Sequence, residues 1–321
     1  MEDGTVYKRH FLFLFADLLL SQTKNQVTMK KILLAVAAAL LITGCGNKKC
    51  QCNCKCAGCE CSTDTAAADQ DYELKVADKS NVDIASFPKD KDGYIVLFDG
   101  KTLNGWRGYG MDNAPKSWTV QDGAITLKGS GTGEAHAADG GDLIFAHKFQ
   151  NFTLELEYKV TKGANSGIFY MAQEVMGKVN GQFEYLPIWQ SSSEFQVLDN
   201  ANHPDAQLGV DGNRQAASLY DMIPAKPQNS KPYGQWNSVK IMVYKGTVIH
   251  GQNGQNVVEY HLWTPKWTEM LQNSKFKKGG EFPYAFELLN NMGGDKHEGY
   301  IGLQDHGDSV QFRNIRIKVM D

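Results

Sequence analysis

Two stretches of this chain bring together residues suited to chemistry. The first is Glu194-Phe195-Gln196-Val197-Leu198-Asp199-Asn200, followed closely by His203. Extended as a strand, it points Phe195 and Val197 one way and Glu194 and Gln196 the other. Two polar side chains on one face of such a strand need partners or water. Asp199, Asn200 and His203 then crowd the strand's end. A carboxylate, an amide and an imidazole suit sugar hydroxyls and proton transfer. A solvated strand edge closed by an Asx turn would use the same residues, and spacing does not separate the two readings. The second stretch, Gly299-Tyr300-Ile301-Gly302-Leu303-Gln304-Asp305-His306-Gly307, repeats the grammar. Ile301 and Leu303 share one side; Gln304 and His306 share the other.

Two loop-to-strand junctions add polar residues among glycines: Gly140-Gly141-Asp142-Leu143 and Gly163-Ala164-Asn165-Ser166-Gly167-Ile168-Phe169-Tyr170. Close approach of the backbone to a ligand would explain the glycines, and so would tight turns. Of the body's six tryptophans, those at 106, 189, 236, 263 and 267 are candidates for sugar contact. An exposed one could stack on a sugar face.

Other chemistries find no support. There is no G-x-S-x-G elbow, P-loop, dinucleotide fingerprint or H-E-x-x-H. The net charge of -3 comes with no basic run to track phosphates, so no nucleic-acid partner is expected. All 7 cysteines lie between Cys45 and Cys61, so the folded body has neither a disulfide framework nor a cysteine nucleophile.

The elements that must position these residues read as strands. Phe152 to Val160 alternates apolar and polar residues at every step. Trp118 to Gln121 and Ala124 to Leu127 flank Asp122-Gly123, a hairpin signal that Asn253-Gly254 repeats. Val239, Ile241 and Val243 form another alternating face. Val310 and Phe312 differ in parity from Ile315, Ile317 and Val319, which predicts a β-bulge near Arg313-Asn314. One helix is expected, capped by Thr264, with Pro265 in its first turn and running to about Ser274. Many short strands without alternating helices predict an all-β sandwich or jelly roll of antiparallel sheets with one short helix.

The N-terminal part reads as export and tether. Met29-Lys30-Lys31 begins a charged region, Ile32 to Ile42 is apolar, and Ile42-Thr43-Gly44-Cys45 closes it. The run is too short for a transmembrane helix and has the layout of a cleaved signal. The cysteine after small residues resembles a bacterial lipobox, which implies lipidation of Cys45 and a membrane-anchored position in the cell envelope; with no acidic run in Gly46-Asn47-Lys48-Lys49, a periplasm-facing domain is expected. Residues 1–28 then read as an upstream extension and 29–44 as the signal. Residues 45–86 read as a cysteine-rich tether and linker, and 87–321 as one body. The spacing C-x-C-x-C-x-C-x-x-C-x-C from Cys50 to Cys61 fits either a soft-metal ligand set or a redox-variable tether.

Taken together, the motifs resemble the 3-keto-disaccharide hydrolase domain family. The resemblance rests on Leu97-Phe98-Asp99-Gly100-Lys101-Thr102-Leu103-Asn104-Gly105-Trp106, Gly141 to Ile144, Asn165 to Tyr170, Glu194 to Asn200, Leu219-Tyr220-Asp221, Gly234-Gln235-Trp236-Asn237 and Gly302 to Gly307. These stand in order across roughly residues 94–319. The resemblance implies a concanavalin-like jelly roll and action on small glycosides or oligosaccharides oxidised at C3. There are two departures. His250-Gly251-Gln252-Asn253-Gly254 lacks the family's tryptophan after histidine, and Glu174 to Ser193 looks like an insertion. Both are expected to reshape the substrate pocket.

Such a substrate dictates its own chemistry. A ketone at C3 acidifies the C2 proton; a base removes it, the enolate oxygen is stabilised, and the C1 substituent leaves by β-elimination. Water then adds back. Catalytic roles are expected for Glu194, His306, Asp199 and His203. Substrate contacts are expected from Asp142, Asn165, Tyr170, Gln196, Asp221, Gln304 and Asp305. The cofactor stays unknown, and a divalent metal held by Asp and His is one option. A non-catalytic carbohydrate-binding module or lectin is the alternative function, and convergence of Glu194, His203 and His306 in one pocket discriminates against it. A structural envelope protein would show no polar pocket.

Overall fold

The computed structural model describes residues 73–130 and 139–321. The expectations for the signal, Cys45 and the cysteine cluster lie outside these residues.

Alternation builds the sandwich. β7 (Phe152–Val160) carries the regular pattern expected of it, with Leu154, Leu156 and Tyr158 buried. It lies at the middle of an antiparallel sheet of eight strands. On one side it pairs with β12 (Asn237–Tyr244), which continues into β13 (Thr247–Gln252) and β14 (Gln255–His261). On its other side it pairs with β16 (Val310–Val319), followed by β5 (Ala124–Leu127) and β4 (Trp118–Gln121). The short β2 (Ile95–Val96) also pairs with β16.

The second sheet has five strands, in the order β11 (Ser193–Leu198), β8 (Asn165–Ala172), β15 (Tyr300–Leu303), β6 (Leu143–Phe145) and β3 (Trp106–Gly108). All its pairings are antiparallel. One core cluster takes side chains from both sheets, among them Ile168, Phe195, Val197, Ile301 and Leu303 from the five-stranded sheet and Leu154, Ile241 and Phe312 from the other. The chain crosses between sheets as it goes from β5 to β6, β7 to β8 and β15 to β16, which is the jelly-roll arrangement expected.

The turn chemistry holds at both hairpins. Asp122 and Gly123 take φ of 49° and 73°, and Gln121 pairs directly with Ala124. Asn253 and Gly254 do the same between β13 and β14, with φ of 49° and 82°. The bulge lies where the parity switch put it: the register of β16 on β7 shifts between Arg313 and Arg316, and Asn314 has φ of 55°. Helix α1 (Pro265–Gln272) has Thr264 as its cap, its hydroxyl accepting from the Trp267 N–H at 3.2 Å.

Three features depart from expectation. A second helix, α2 (Ala285–Asn290), has no side-chain cap, so no start signal marked it in the sequence. A third sheet joins β1 (Leu74–Ala77), β9 (Glu174–Val179) and β10 (Gln182–Tyr185). The strand β1 and the turn at Ile84–Ser86 fall in the stretch read as linker up to residue 86. The N–H groups of Asn81 and Val82 donate to Ala146 O, so this stretch is bonded to the body. No helix among the described residues is long and apolar enough to cross a membrane.

Candidate active site

The face of the five-stranded sheet turned away from the core carries a cavity of about 380 Å³, a size suited to a small ligand. The parity of β11 places Glu194 and Gln196 in its wall while Phe195 and Val197 enter the core. Asn165 reaches it from the start of β8, Asp142 from just before β6, and Gln304, Asp305 and His306 from the end of β15. The stretch from Glu174 to Ser193 forms part of the pocket wall. Its hairpin and following turn bring Tyr185, Leu186, Pro187, Ile188 and Trp189 to the cavity.

Glu194 is buried, at 9% exposure, and its carboxyl has no hydrogen bond or ion pair among the described residues. Its carboxyl lies over Gly167 on the neighbouring strand, where an added Cβ would come within 2.9 Å of Glu194 Cγ and Cδ. Burial pushes this carboxyl up to about 8; the nearby Lys275 charge opposes that rise, and the charges of Asp142 and Asp205 add to it. The other two carboxylates of the cavity are tied to backbone amides. Asp142 accepts from the Asp305 N–H at 2.9 Å. Asp305 accepts from the N–H groups of Gly141 at 2.9 Å and Gly307 at 3.0 Å. These bonds fasten the β6 and β15 loops together and thereby place His306.

His306 and Asn165 meet across the cavity's edge, Asn165 Nδ2 lying 3.3 Å from His306 Nε2. The buried oxygens Asn165 Oδ1 and Gln304 Oε1 have no partner among the described residues. An unmade buried bond of this kind costs about 1–3 kcal/mol, which favours a ligand rich in hydroxyl donors.

Several expected residues lie elsewhere. Asp199 does not line the cavity; its carboxylate accepts from the N–H groups of Gly163 and Ala201 and from Asn202 Nδ2, closing the loop after β11. His203 caps a short 3₁₀ turn through Nδ1, which accepts from the Asp205 N–H at 3.1 Å. Its ring packs edge-on near His306, with centroids 6.4 Å apart, outside the cavity wall. Asp221 holds Arg214 Nε at 2.7 Å and the Lys275 N–H at 2.9 Å, a positioning role. Tyr170 has the wrong parity for the site. It points into the core between the sheets, where its hydroxyl lies 2.6 Å from His250 Nε2 and 2.7 Å from the Tyr260 hydroxyl. His250 Nδ1 faces Ala217 O, so it donates there and Nε2 accepts from Tyr170. Burial lowers His250 to about 4, which keeps the ring neutral.

The missing tryptophan after His250 does not touch the cavity. Gly251 sits on β13 of the other sheet, beside Lys240, and does not line the cavity.

Sequence reading missed Lys275, Tyr220 and Tyr109, all of which line the cavity. Tyr220 stood in a quoted motif; Lys275 lies just past a helix in a stretch with no pattern of its own. Its ammonium is ringed by Tyr220, Phe276, Trp189 and Phe282, with centroids at 4.4, 5.2, 5.3 and 5.9 Å. Among the described residues no cluster of three or more His, Cys, Asp or Glu side chains could hold a metal ion.

A jelly roll with a polar, sugar-sized cavity on one sheet defines the class of protein, and comparison with known proteins makes it a glycoside-cleaving enzyme. The chain belongs to the family described as the 3-keto-alpha-glucoside-1,2-lyase-like domain, whose pattern matches residues 93–318. It is 65% identical over 249 residues to the 3-keto-disaccharide hydrolase of Bacteroides thetaiotaomicron, covering 77% of this chain and 84% of that one. A crystal structure from Parabacteroides distasonis, of a protein provisionally described as a glycosyl hydrolase, superimposes with a TM-score of 0.56 at 25% identity. That match covers 72% of this chain and 95% of the other.

Proposed function

We propose that this enzyme cleaves glycosides carrying a ketone at C3, with Glu194 as the base that takes the C2 proton and His306 as the acid that protonates the leaving oxygen. The observation that carries the mechanism is the state of the cavity's carboxylates. An ordinary glycosidase needs two carboxyl groups free to act across the scissile bond. Here Asp142 and Asp305 accept from backbone amides, and Glu194 alone has no bonded partner. One base paired with an imidazole suits proton abstraction beside a ketone followed by elimination. A raised carboxyl pKa makes Glu194 a stronger base than a solvated glutamate. The family and the name of the Bacteroides relative point to the same substrate class. Asn165, Gln196 and Gln304 would orient the sugar hydroxyls.

Aglycone release from a 3-keto-glucoside and from its unoxidised parent tests the reading. Release from the keto compound alone is expected, with or without added divalent metal. Silence toward the keto compound in both conditions overturns it. A lectin would bind both compounds and release nothing.

We further propose attachment to the membrane through lipid on Cys45, facing the periplasm, where small imported glycosides would be the substrates. One acyl chain anchors only marginally, and a lipobox cysteine by resemblance carries several. The residues after Cys45 are Gly46, Asn47, Lys48 and Lys49, with no acidic surface-export run. Cys45→Ala is expected to move the protein from the membrane fraction to the soluble one. Equal partitioning of variant and wild type rejects the anchor. Cleavage of the domain by protease added to intact cells rejects the periplasmic position.

A further inference from the structure

Lys275 belongs to no motif, yet it occupies a built position. Ser274 donates its hydroxyl to Leu271 O at 2.8 Å and accepts from the Phe276 N–H at 3.1 Å, which fixes the chain on either side. Asp221 takes the Lys275 N–H at 2.9 Å. The side chain then passes among four aromatic rings and ends in the wall of the cavity that also holds Glu194. No carboxylate among the described residues lies within 4.0 Å of its ammonium. Glu194, the acid that acts most strongly on its charge, makes no ion pair with it, and Asp205 and Asp221 both pair with Arg214, at 3.0 and 2.7 Å.

This arrangement is uneconomical for a structural lysine. Lys275 is half-buried, and an ammonium drawn out of bulk water normally has a carboxylate partner or bonds for its three N–H groups. Ring faces stabilise a cation without accepting its hydrogen bonds. They keep the charge in place and leave the N–H donors for whatever enters the cavity.

We propose that Lys275 is a catalytic residue, its ammonium donating to the C3 oxygen of the sugar and holding the negative charge that forms there. The inference rests on the reading of the substrate as a 3-keto-glycoside. In the first step the C2–H bond breaks and the proton goes to Glu194. The electron pair becomes the C2=C3 bond, and the C3=O π pair moves onto oxygen, facing Lys275. In the second step that pair returns to remake C3=O, the C2=C3 pair becomes the C1=C2 bond, and the C1–O bond breaks, its electrons leaving with the aglycone oxygen, which takes the proton of His306. No oxidant or reductant is consumed.

The full chain, with Lys275→Met and Lys275→Gln variants, is tested on a 3-keto-glucoside in deuterated water. Exchange at C2 is followed by NMR, and aglycone release separately. Both are expected to fall together by about a hundredfold or more, the scale of losing one preorganised oxyanion donor. The melting temperature and the near-ultraviolet circular dichroism stay close to wild type. Those two measurements exclude misfolding as the cause. Near-wild-type turnover in either variant overturns the inference. So does wild-type C2 exchange with loss of release alone, because the lysine would then serve the leaving group. Borohydride trapping of sugar on Lys275 in the wild type overturns it too, since the amine would then be a nucleophile. If the wild type releases nothing from the keto substrate, the substrate reading falls first and takes this inference with it.

Discussion

Glu194 combines two properties that usually conflict. It is a buried carboxyl without a bonded partner, which costs stability, and that same isolation gives it basicity. Glu194→Gln keeps the shape and removes the base; turnover of a keto-glycoside is expected to drop by about a hundredfold or more. The pH dependence has a definite sign. Because the base acts deprotonated, kcat/KM rises with pH through the raised pKa of the group. Stability runs the other way. A carboxyl whose folded pKa lies above its ordinary 4.5 favours the folded state below that value and loses this contribution as pH rises through about 8. Melting curves of the wild type are therefore expected to fall relative to Glu194→Gln between about pH 5 and about pH 9. Parallel curves over that range would mean that the carboxyl is not perturbed.

The strand pair β8–β11 sets the position of that carboxyl. Glu194 sits opposite Phe169, and its side chain leans across Gly167. Gly167→Ala puts a methyl group where the carboxyl rests. The flexible end of Glu194 yields before the ladder does, so the melting temperature changes little. Displacement of a reacting group by about 1 Å can cost about a hundredfold, and a loss between about tenfold and that figure is expected in kcat. An unaltered kcat would show that the carboxyl's place over Gly167 is not its working position. The β9–β10 hairpin and the turn after it act as a second positioning device. They carry Tyr185 and Trp189 to the cavity, and Ile188 packs on Ile144 and Phe169 beneath it.

That hairpin is fastened to the body by one buried ion pair. Arg107 on β3 meets Glu174 on β9 with two contacts of 2.6 Å, and both side chains are nearly inaccessible, at 4% and 0%. Glu174 also accepts from the Gly110 N–H at 2.8 Å, which holds the loop carrying Tyr109 and Met111 to the cavity. Arg107→Met leaves a buried carboxylate without its charge partner. A destabilisation of about 3–5 kcal/mol is expected by chemical denaturation. A second change, Glu174→Gln, should recover part of it, and a loss within about 1 kcal/mol for the single variant would show that the pair is dispensable.

The sequence by itself determined what short-range periodicity and turn chemistry can determine. Alternation in Phe152–Val160, the Asp122-Gly123 and Asn253-Gly254 turns and the parity switch at Arg313-Asn314 are local statements, and each element formed as read. The same rule of two put Glu194 and Gln196 on one face and Phe195 and Val197 on the other. Tertiary structure alone decided which polar residues meet. Tyr170 lies five residues from Asn165 on one strand, an odd step, so one faces the cavity and the other the core. Asp199 and His203 were close in sequence to the site, but the loop after β11 needed their side chains to satisfy its own amides. Lys275 reaches Glu194's cavity from 81 positions away, anchored by Asp221 from a different loop. No local pattern announces such a residue, because its place is fixed by the packing of rings from three separate segments around one ammonium.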